Sequence, residues 1–252
     1  MSDPLIPDKE RADRMLVALG HFPSRAAAQA AIAAGQVTAN GRPVRKPSET
    51  LARDAVITAE AAHPYVSRGG LKLAHALDQF GVDPSGLHAL DLGASTGGFT
   101  DVLLRRGAAH VTAIDVGRGQ LHPTIASDPR VTAIEGLNAR DLAADQLVRP
   151  PDLIVCDLSF VSMEKVLSVP LSLAAPDARL IALFKPQFEV GKGNVGRGGI
   201  VTDDAATADA LAAFPRFLET QGWQAEAPID SPVTGGDGNR EHLFFARRIK
   251  AR

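Results

Sequence analysis

Hydrophobic positions change their period along this chain, and the changes mark out its elements. Between Ala12 and Leu19 the apolar residues Met15, Leu16 and Leu19 recur at helical spacing, and Gly20 stops the run. Ser24 suits the N-cap of a second, alanine-rich helix that continues to about Ala34 and ends at Gly35. The stretch Gln36-Val37-Thr38-Ala39 then meets an Asn40-Gly41 turn and Arg42-Pro43-Val44, a strong hairpin signal. A further short strand, Ala55 to Ala59, closes a small module, with residues 1–10 as a loose tail ahead of it.

Beyond His63-Pro64 the pattern lengthens. Ser67 to Phe80 predicts a helix with Leu73, Leu77 and Phe80 on one face. Strand candidates follow at 88–92, 110–116, 131–135, 152–157, 179–185, 224–230 and 242–247. The first five are short, apolar and partly β-branched, with helical stretches between most of them, the pattern of a parallel sheet covered on both faces. Between the last two lies only the glycine-rich loop Gly235–Asn239, so they are expected to pair antiparallel. The organisation expected is a small module over 9–62, a linker over 63–66 and an α/β domain over 67–250.

Composition narrows the class. Hydrophobic residues make up 45% of the chain, enough for a real core. No apolar run reaches the ~18–20 residues that cross a bilayer, and the opening MSDPLIPDKE is too polar for a signal peptide. The single cysteine, Cys156, excludes an internal disulfide and fits a reducing, cytoplasmic setting. Net charge is −2, yet from Arg14 to Ser48 there are five basic residues (Arg14, Arg25, Arg42, Arg45, Lys46) and no acid. Such a stripe can contact phosphates or be a solvated face.

The first strand of the α/β block runs into Asp91-Leu92-Gly93-Ala94-Ser95-Thr96-Gly97-Gly98-Phe99-Thr100. A strand, a glycine-rich turn and a helix N-terminus together make a nucleotide-cofactor site. The spacing is neither the dinucleotide pattern nor a P-loop. Asp91, two positions before the first glycine, suits a ligand that carries an ammonium group. Asp115, ending the second strand, suits ribose hydroxyls. An amine and a ribose on one ligand describe S-adenosylmethionine better than NAD.

Several stretches together resemble one family: Arg68-Gly69-Gly70-Leu71-Lys72-Leu73, the loop from Asp91 to Asp101, Asp115-Val116-Gly117-Arg118-Gly119-Gln120-Leu121, Cys156-Asp157-Leu158-Ser159-Phe160, Phe184-Lys185-Pro186-Gln187-Phe188-Glu189, and Gly238-Asn239-Arg240-Glu241. The chain resembles the TlyA family of ribosomal-RNA 2′-O-methyltransferases, also labelled hemolysins, from about residue 10 to 248. The resemblance implies a Rossmann-like, seven-stranded catalytic domain similar to the FtsJ type, behind a small α+β module similar to the S-four RNA-binding domain. It places a Lys-Asp-Lys-Glu tetrad on Lys72, Asp157, Lys185 and Glu241. It implies a cofactor set of Asp91, Gly93, Ser95, Thr96, Gly97, Gly98, Phe99, Asp115, Val116 and Asp157, with Asn138 at the adenine, preceded here by Leu137. The RNA contacts it implies are Arg14, Arg25, Arg42, Arg45, Lys46 and Arg68, and the target would be a cytidine.

A ribose 2′-hydroxyl is a poor nucleophile at neutral pH, so the enzyme must position two groups and help remove a proton. Lys185 ends a central strand just before Pro186, and parallel sheets place their sites at such ends. A neighbouring cation, Lys72, and partial desolvation would both favour a neutral amine there, while Asp157 would oppose that and orient the base. Glu241 would hold Lys72 or the ribose. By position alone a lysine at a strand end or on a helix is ordinarily a surface charge, and Glu241 could pair with Arg240 or His242, so the tetrad rests on the resemblance.

The remaining features point less sharply. Cys156 reads as a packed strand residue, Trp223 as core, and the scattered histidines as no metal site. The segment Gly191–Gly199, with Lys192 and Arg197, reads as a mobile basic loop that covers RNA or merely connects. Two other classes compete: a non-catalytic RNA-binding or ribosome-assembly factor, and a membrane-lytic protein. The alanine-rich helix lacks the bulky apolar face that lysis needs.

Overall fold

The computed structural model describes residues 9–22, 24–60 and 63–249, and its contacts divide the chain into two compact units between Pro64 and Tyr65. The first contains β1 (Lys9–Arg11), α1 (Ala12–Ala18), α2 (Arg25–Ala33), β2 (Val37–Ala39), β3 (Arg42–Pro43), β4 (Thr50–Ala52) and β5 (Ile57–Ala59). Strands β3, β2 and β5 form one antiparallel sheet, and β1 pairs antiparallel with β4. Ser24 caps α2 by accepting the Ala27 N–H at 3.2 Å. Asn40 (φ 51°) and Gly41 (φ 74°) both take the left-handed conformation that a two-residue hairpin requires. Leu16, Ala28, Ile32 and Val37 fill the small core.

Three expectations change in this unit. Lys9 and Glu10 are strand residues opposite Ala52 and Leu51 rather than tail, a long-range pairing that no local period announces; residues 1–8 lie outside the described residues. The strand expected over Ala55–Ala59 begins at Ile57, because the Ala55 N–H is turned back to the Ala52 carbonyl. The basic stripe is also less uniform than it reads. The Asp13 carboxylate is fully buried and accepts from Arg11 (3.0 Å), Arg25 (2.7 Å) and Gln29 (2.9 Å). The Arg11 hydrogen bond, ahead of those from Arg25 and Gln29, holds that carboxyl well below the usual carboxylate range against the opposing cost of burial. Arg25 is therefore ion-paired, whereas Arg14, Arg42, Arg45 and Lys46 are exposed.

The second unit runs α3 (Gly69–Gln79), β6 (His88–Leu92), α4 (Gly98–Arg105), β7 (His110–Asp115), α5 (Pro123–Ala126), β8 (Val131–Glu135), β9 (Leu153–Cys156), α6 (Ser168–Ser172), β10 (Arg179–Phe184), α7 (Pro186–Glu189), α8 (Asp204–Thr220), β11 (Trp223–Ala225), β12 (Ile229–Asp230) and β13 (His242–Arg248). The strand order is β11-β13-β10-β9-β6-β7-β8, with β12 as an eighth strand paired to β13. Strands β6 to β10 are parallel; β13 is antiparallel to β10 and to β11. One sheet face packs Leu92, Ile154, Phe184, Trp223 and Phe244, and the other packs Leu73, Leu77, Phe99, Val155 and Phe245. The strand expected over 224–230 is two pieces, since Pro228 has no N–H to give the ladder. The chain leaves β6 toward β7 on one side and reaches β9 on the other, so the crevice between Leu92 and Cys156 is the topological switch point. No helix among the described residues is long and apolar enough to cross a membrane.

At the opposite end of the sheet, His88 and His110 face each other with ring centroids 5.7 Å apart. His88 Nδ1 and His110 Nε2 are buried without hydrogen-bond partners. Burial, and then the neighbouring His88, lowers the His110 pKa. The unfolded chain takes that proton near pH ~6.5 while the folded state resists it, so stability is whole above that pH and drains below it. We expect His110→Gln to lose less stability than the parent between about pH 7 and pH 5 in thermal melts. Parallel declines in the two proteins would remove the histidine pair as a source.

Candidate active site

The cofactor loop is built by the ends of three strands. As β6 finishes, the Gly93 and Ala94 N–H groups both reach the Ile114 carbonyl of β7, at 2.9 and 3.1 Å. The Asp157 N–H, just past β9, reaches the Leu92 carbonyl at 2.9 Å. These bonds press Asp157 onto Gly93: a Cβ on Gly93 would stand 2.6 Å from the Asp157 carbonyl oxygen, and the glycine has φ 80°. Gly98 begins α4 and meets the protein rather than open space, for a Cβ there would overlap the Ser67 hydroxyl and lie 3.1 Å from the Gly70 nitrogen. Its lack of a side chain brings α3 against the loop. Gly97 likewise backs onto Leu121 and Ile125.

Two cavities open at this crevice and share Gly93, Ser95 and Asp157. The smaller, about 240 Å³, is lined also by Ser67, Arg68, Lys72, Thr96, Gly98 and Phe99. The larger, about 520 Å³, is walled by Asp115, Val116, Leu137, Asn138, Leu158 and Phe160. Asp115 is organised by backbone: one oxygen accepts the Ser95 N–H at 2.8 Å and the other the Gly117 N–H at 2.7 Å. A carboxylate has about four acceptor sites, so hydroxyl donors can still be received there. Asn138 spends its carbonyl oxygen on the Arg140 N–H at 3.1 Å.

Asp91 does not line either cavity. Its side chain is fully buried beneath the loop, where one oxygen accepts the Thr100 hydroxyl at 2.6 Å and the other has no partner. Burial pushes this carboxyl up to about 7, with the nearby Asp157 and Asp115 acting in the same direction and the Thr100 bonds against it. Direct pairing with a ligand ammonium, expected from its place in the sequence, is not how the fold uses it here.

The four polar residues of the tetrad form two contacts at one wall. Lys185 Nζ stands 2.6 Å from Asp157 Oδ1, a charge contact rather than an aligned hydrogen bond, and it donates to Ser159 Oγ at 2.7 Å. Lys72, on α3, donates to the Glu241 carboxylate just before β13, and both side chains are almost wholly buried. Lys72 and Asp157 line the same cavity, and a Cβ on Gly69 would lie 3.6 Å from Asp157 Oδ2. Lys72 and Asp157 thus bring α3 and the tip of β9 to one cavity, while Lys185 and Glu241 line neither cavity and reach the site through these two partners.

Sequence reasoning missed several residues here. Ser159, which the sequence marks only as part of a motif, is a hydrogen-bond partner of Lys185. Phe160 is 91% exposed, has φ 66° and leans on Phe188 with centroids 5.2 Å apart. An outward aromatic on left-handed backbone is costly without a use. The signal that could have found it is an aromatic three residues past a carboxylate that ends a buried strand. Asn239 is buried and bonded to the segment that reads as a mobile loop, so that loop is pinned at its far end; the Lys192 side chain lies outside the described residues. Cys156 is buried core, its thiol pKa pushed up by burial. Among the described residues no group of three or more His, Cys, Asp or Glu is arranged to hold a metal.

Comparison with known proteins assigns the same two parts. Residues 65–248 match the FtsJ-like methyltransferase family and residues 10–57 match the S4 domain. A Mycobacterium tuberculosis protein named 16S/23S rRNA (cytidine-2′-O)-methyltransferase TlyA is 44% identical over 243 residues, covering 95% of this chain and 90% of its own. Hemolysin A of Brachyspira hyodysenteriae is 37% identical across 92% of this chain and 98% of its own. A solved structure of a hemolysin-named protein from Streptococcus thermophilus superposes with a TM-score of 0.76 at 34% identity, over 97% of this chain and 90% of that one. The chain belongs to the TlyA family, with an S4 domain ahead of an FtsJ-like methyltransferase domain.

Proposed function

We propose that this chain methylates the 2′-hydroxyl of a cytidine ribose in ribosomal RNA, with S-adenosylmethionine as methyl donor and Lys185 as general base. The observation that carries this reading is the Lys185–Asp157 contact at the wall shared by the two cavities. The residues present fit the cofactor. One elongated ligand can occupy both cavities, with a nucleoside against Asp115, Leu137 and Asn138 and a short polar tail beside Ser67, Thr96 and Gly98. When bound, S-adenosylmethionine supplies a methyl group made electrophilic by its positively charged sulfur.

The chain's own residues handle the hydroxyl and its proton. The Lys185 amine takes the 2′-hydroxyl proton as the oxygen attacks. The ammonium that results is held by Asp157 and by Ser159 Oγ, the contacts seen in the structure. Lys72 puts a buried cation on the cavity wall, where negative charge develops on the ribose oxygen, and Glu241 fixes its position. Phe160 offers a free aromatic face on which an extruded base can stack. Exposed Arg14, Arg42, Arg45 and Lys46 on the S4 domain, and Arg68 at the smaller cavity, are the phosphate contacts. Arg25 joins them with its guanidinium already oriented by Asp13. Ribosomal RNA as substrate puts the work in the cytoplasm.

Removal of the base tests the reading directly. Lys185→Ala is expected to lower kcat by about 10²–10⁴-fold, with cofactor affinity nearly unchanged, when labelled methyl transfer to ribosomal subunits is followed at saturation. Lys185→Arg should be as poor, since a guanidinium does not give up its proton. An active arginine variant would leave Lys185 as a mere cation.

Asp91 supplies a second test. Its carboxyl ionises near pH 4 in the unfolded chain but only near about 7 in the fold. The folded state therefore loses stability as pH rises between those values, and the loss stays complete above about pH 7. Asp91→Asn has no such charge to bury. The melting temperature of the variant should gain on the parent from about pH 5 to pH 7.5 and hold steady beyond. A gap that does not change with pH would contradict a carboxyl kept neutral by burial.

A further inference from the structure

Asn239 stands two residues before Glu241 and is only 4% exposed. Both ends of its carboxamide are used: Oδ1 accepts the Val201 N–H at 2.9 Å, and Nδ2 donates to the Gly199 carbonyl at 2.8 Å. Its own carbonyl accepts the Gly235 N–H at 3.0 Å. The segment it grips is folded on itself, with the Gly196 N–H on the Ile200 carbonyl and the Gly199 N–H on the Gly196 carbonyl. A buried polar side chain that fastens two loops is expensive unless the fastening has a use.

The junction sets two cations at one rim. Arg197 lies two residues before Gly199, and Arg240 is next to Asn239, so each is within roughly 7 Å of chain from the same hydrogen bonds. Both are exposed, and neither joins any ion pair found among the described residues. Arg240 lines a cavity of about 410 Å³ with Pro186, Ile200, Asn239 and His242. That cavity is flanked by the tetrad, because Pro186 follows Lys185 and Arg240 precedes Glu241. Asp204 lines it too, and Asp237 approaches Gly199, with a carboxylate oxygen 3.9 Å from where a Cβ would stand. The rim thus has no excess of positive charge, and its arginines act at short range through guanidinium geometry.

We infer that Arg197 and Arg240 form a clamp for an RNA phosphate beside the target ribose, and that Asn239 is the positioning residue that holds the two together. The inference rests on the RNA methyltransferase reading and gives its substrate a second contact, apart from the S4 domain. A 2′-hydroxyl sits next to the 3′-phosphate on its own ribose. A pose that brings this hydroxyl to Lys185 carries that phosphate with it, and the cavity lined by Pro186 and Arg240 is a place that can receive it. Phosphate contacts of this kind fix register and leave base choice to other groups.

The test uses the full chain and ribosomal subunits that lack the modification. Arg197→Ala and Arg240→Ala are each expected to raise KM for subunits about 3–10-fold with kcat within about twofold. The double variant should lower the salt dependence of subunit binding by about one unit of slope, as loss of one phosphate contact predicts. Asn239→Ala alone should raise KM about as far as the double arginine variant, and should add little when combined with it. Arginine variants with the parent's KM would overturn the clamp. So would an Asn239→Ala loss that adds in full to the arginine losses, for Asn239 would then act only on Glu241 or on folding. If the Asn239 variant does not fold, the exposed arginine variants decide alone. If the parent transfers no methyl group, the proposed reaction falls, and the same ratios read as subunit Kd judge the clamp separately.

Discussion

The site depends on one close backbone approach, that of the Asp157 carbonyl to Gly93. Two parallel strands, β6 and β9, end side by side, and the chains beyond them must separate to leave a crevice. The contact at Gly93 sets how far they separate. With any side chain at residue 93, a Cβ 2.6 Å from that carbonyl would drive the tip of β9 away. Asp157 would move with it, and Lys185 with Asp157. The loop's glycines therefore act on packing within the protein as well as on the cavity: Gly97 backs onto Leu121 and Ile125, and Gly98 admits Ser67 of the neighbouring segment while lining the smaller cavity. The same approach explains why one carboxylate belongs to both cavities.

Around that point the fold arranges charge in pairs. Lys185 with Asp157 joins adjacent strand tips, while Lys72 with Glu241 joins residues 169 positions apart. The second pair is buried, and a buried pair is a poor source of net stability, because desolvation consumes most of the attraction. Removing one partner, however, leaves a stranded charge at a cost of about 3–5 kcal/mol. Such pairs hold geometry better than they hold a fold together, which suits groups that must meet a ligand at fixed places. The Lys72–Glu241 pair also ties α3, whose start packs on the cofactor loop through Gly98, to the antiparallel strand β13 on the far side of β10. The glycine-rich loop and the edge of the sheet beyond β10 are thereby mechanically one.

Much of this was legible in the sequence, and what was not has a common physical origin. The parallel strands were visible because burial on both faces leaves continuous apolar runs, and the Asn40-Gly41 hairpin because its turn needs left-handed backbone. The tetrad came from motif context, and its members do converge. The misses are side-chain directions and long-range partners. Nothing local to Asp91 says that its carboxylate turns down to Thr100 instead of up to a ligand. Arg25 reads as a free cation until Asp13, a dozen residues earlier, is seen to hold it. Ser159, Phe160 and Asn239 owe their roles to Lys185, to one left-handed dihedral and to a loop about 40 residues away. Hydrophobic period encodes which face is buried, and it carries no information about which polar atoms will meet.

The paired arginines of the S4 domain bear on how a mildly acidic protein can hold RNA at all. A guanidinium free in solvent loses side-chain entropy when it meets a phosphate, about 2 kcal/mol for a fully mobile arginine. Arg11 and Arg25 have already lost much of that freedom to Asp13, whose carboxylate occupies only part of each fork and leaves N–H donors facing outward. Their side chains keep 39% and 50% of their exposure. Asp13 thus subtracts charge but adds fixed direction, the same exchange that Asp157 makes with Lys185. In both units an acid, buried at Asp13 and half-buried at Asp157, gives up electrostatic strength in return for a cation held at a defined place. That exchange suits recognition by geometry at contact better than attraction by unscreened charge at a distance.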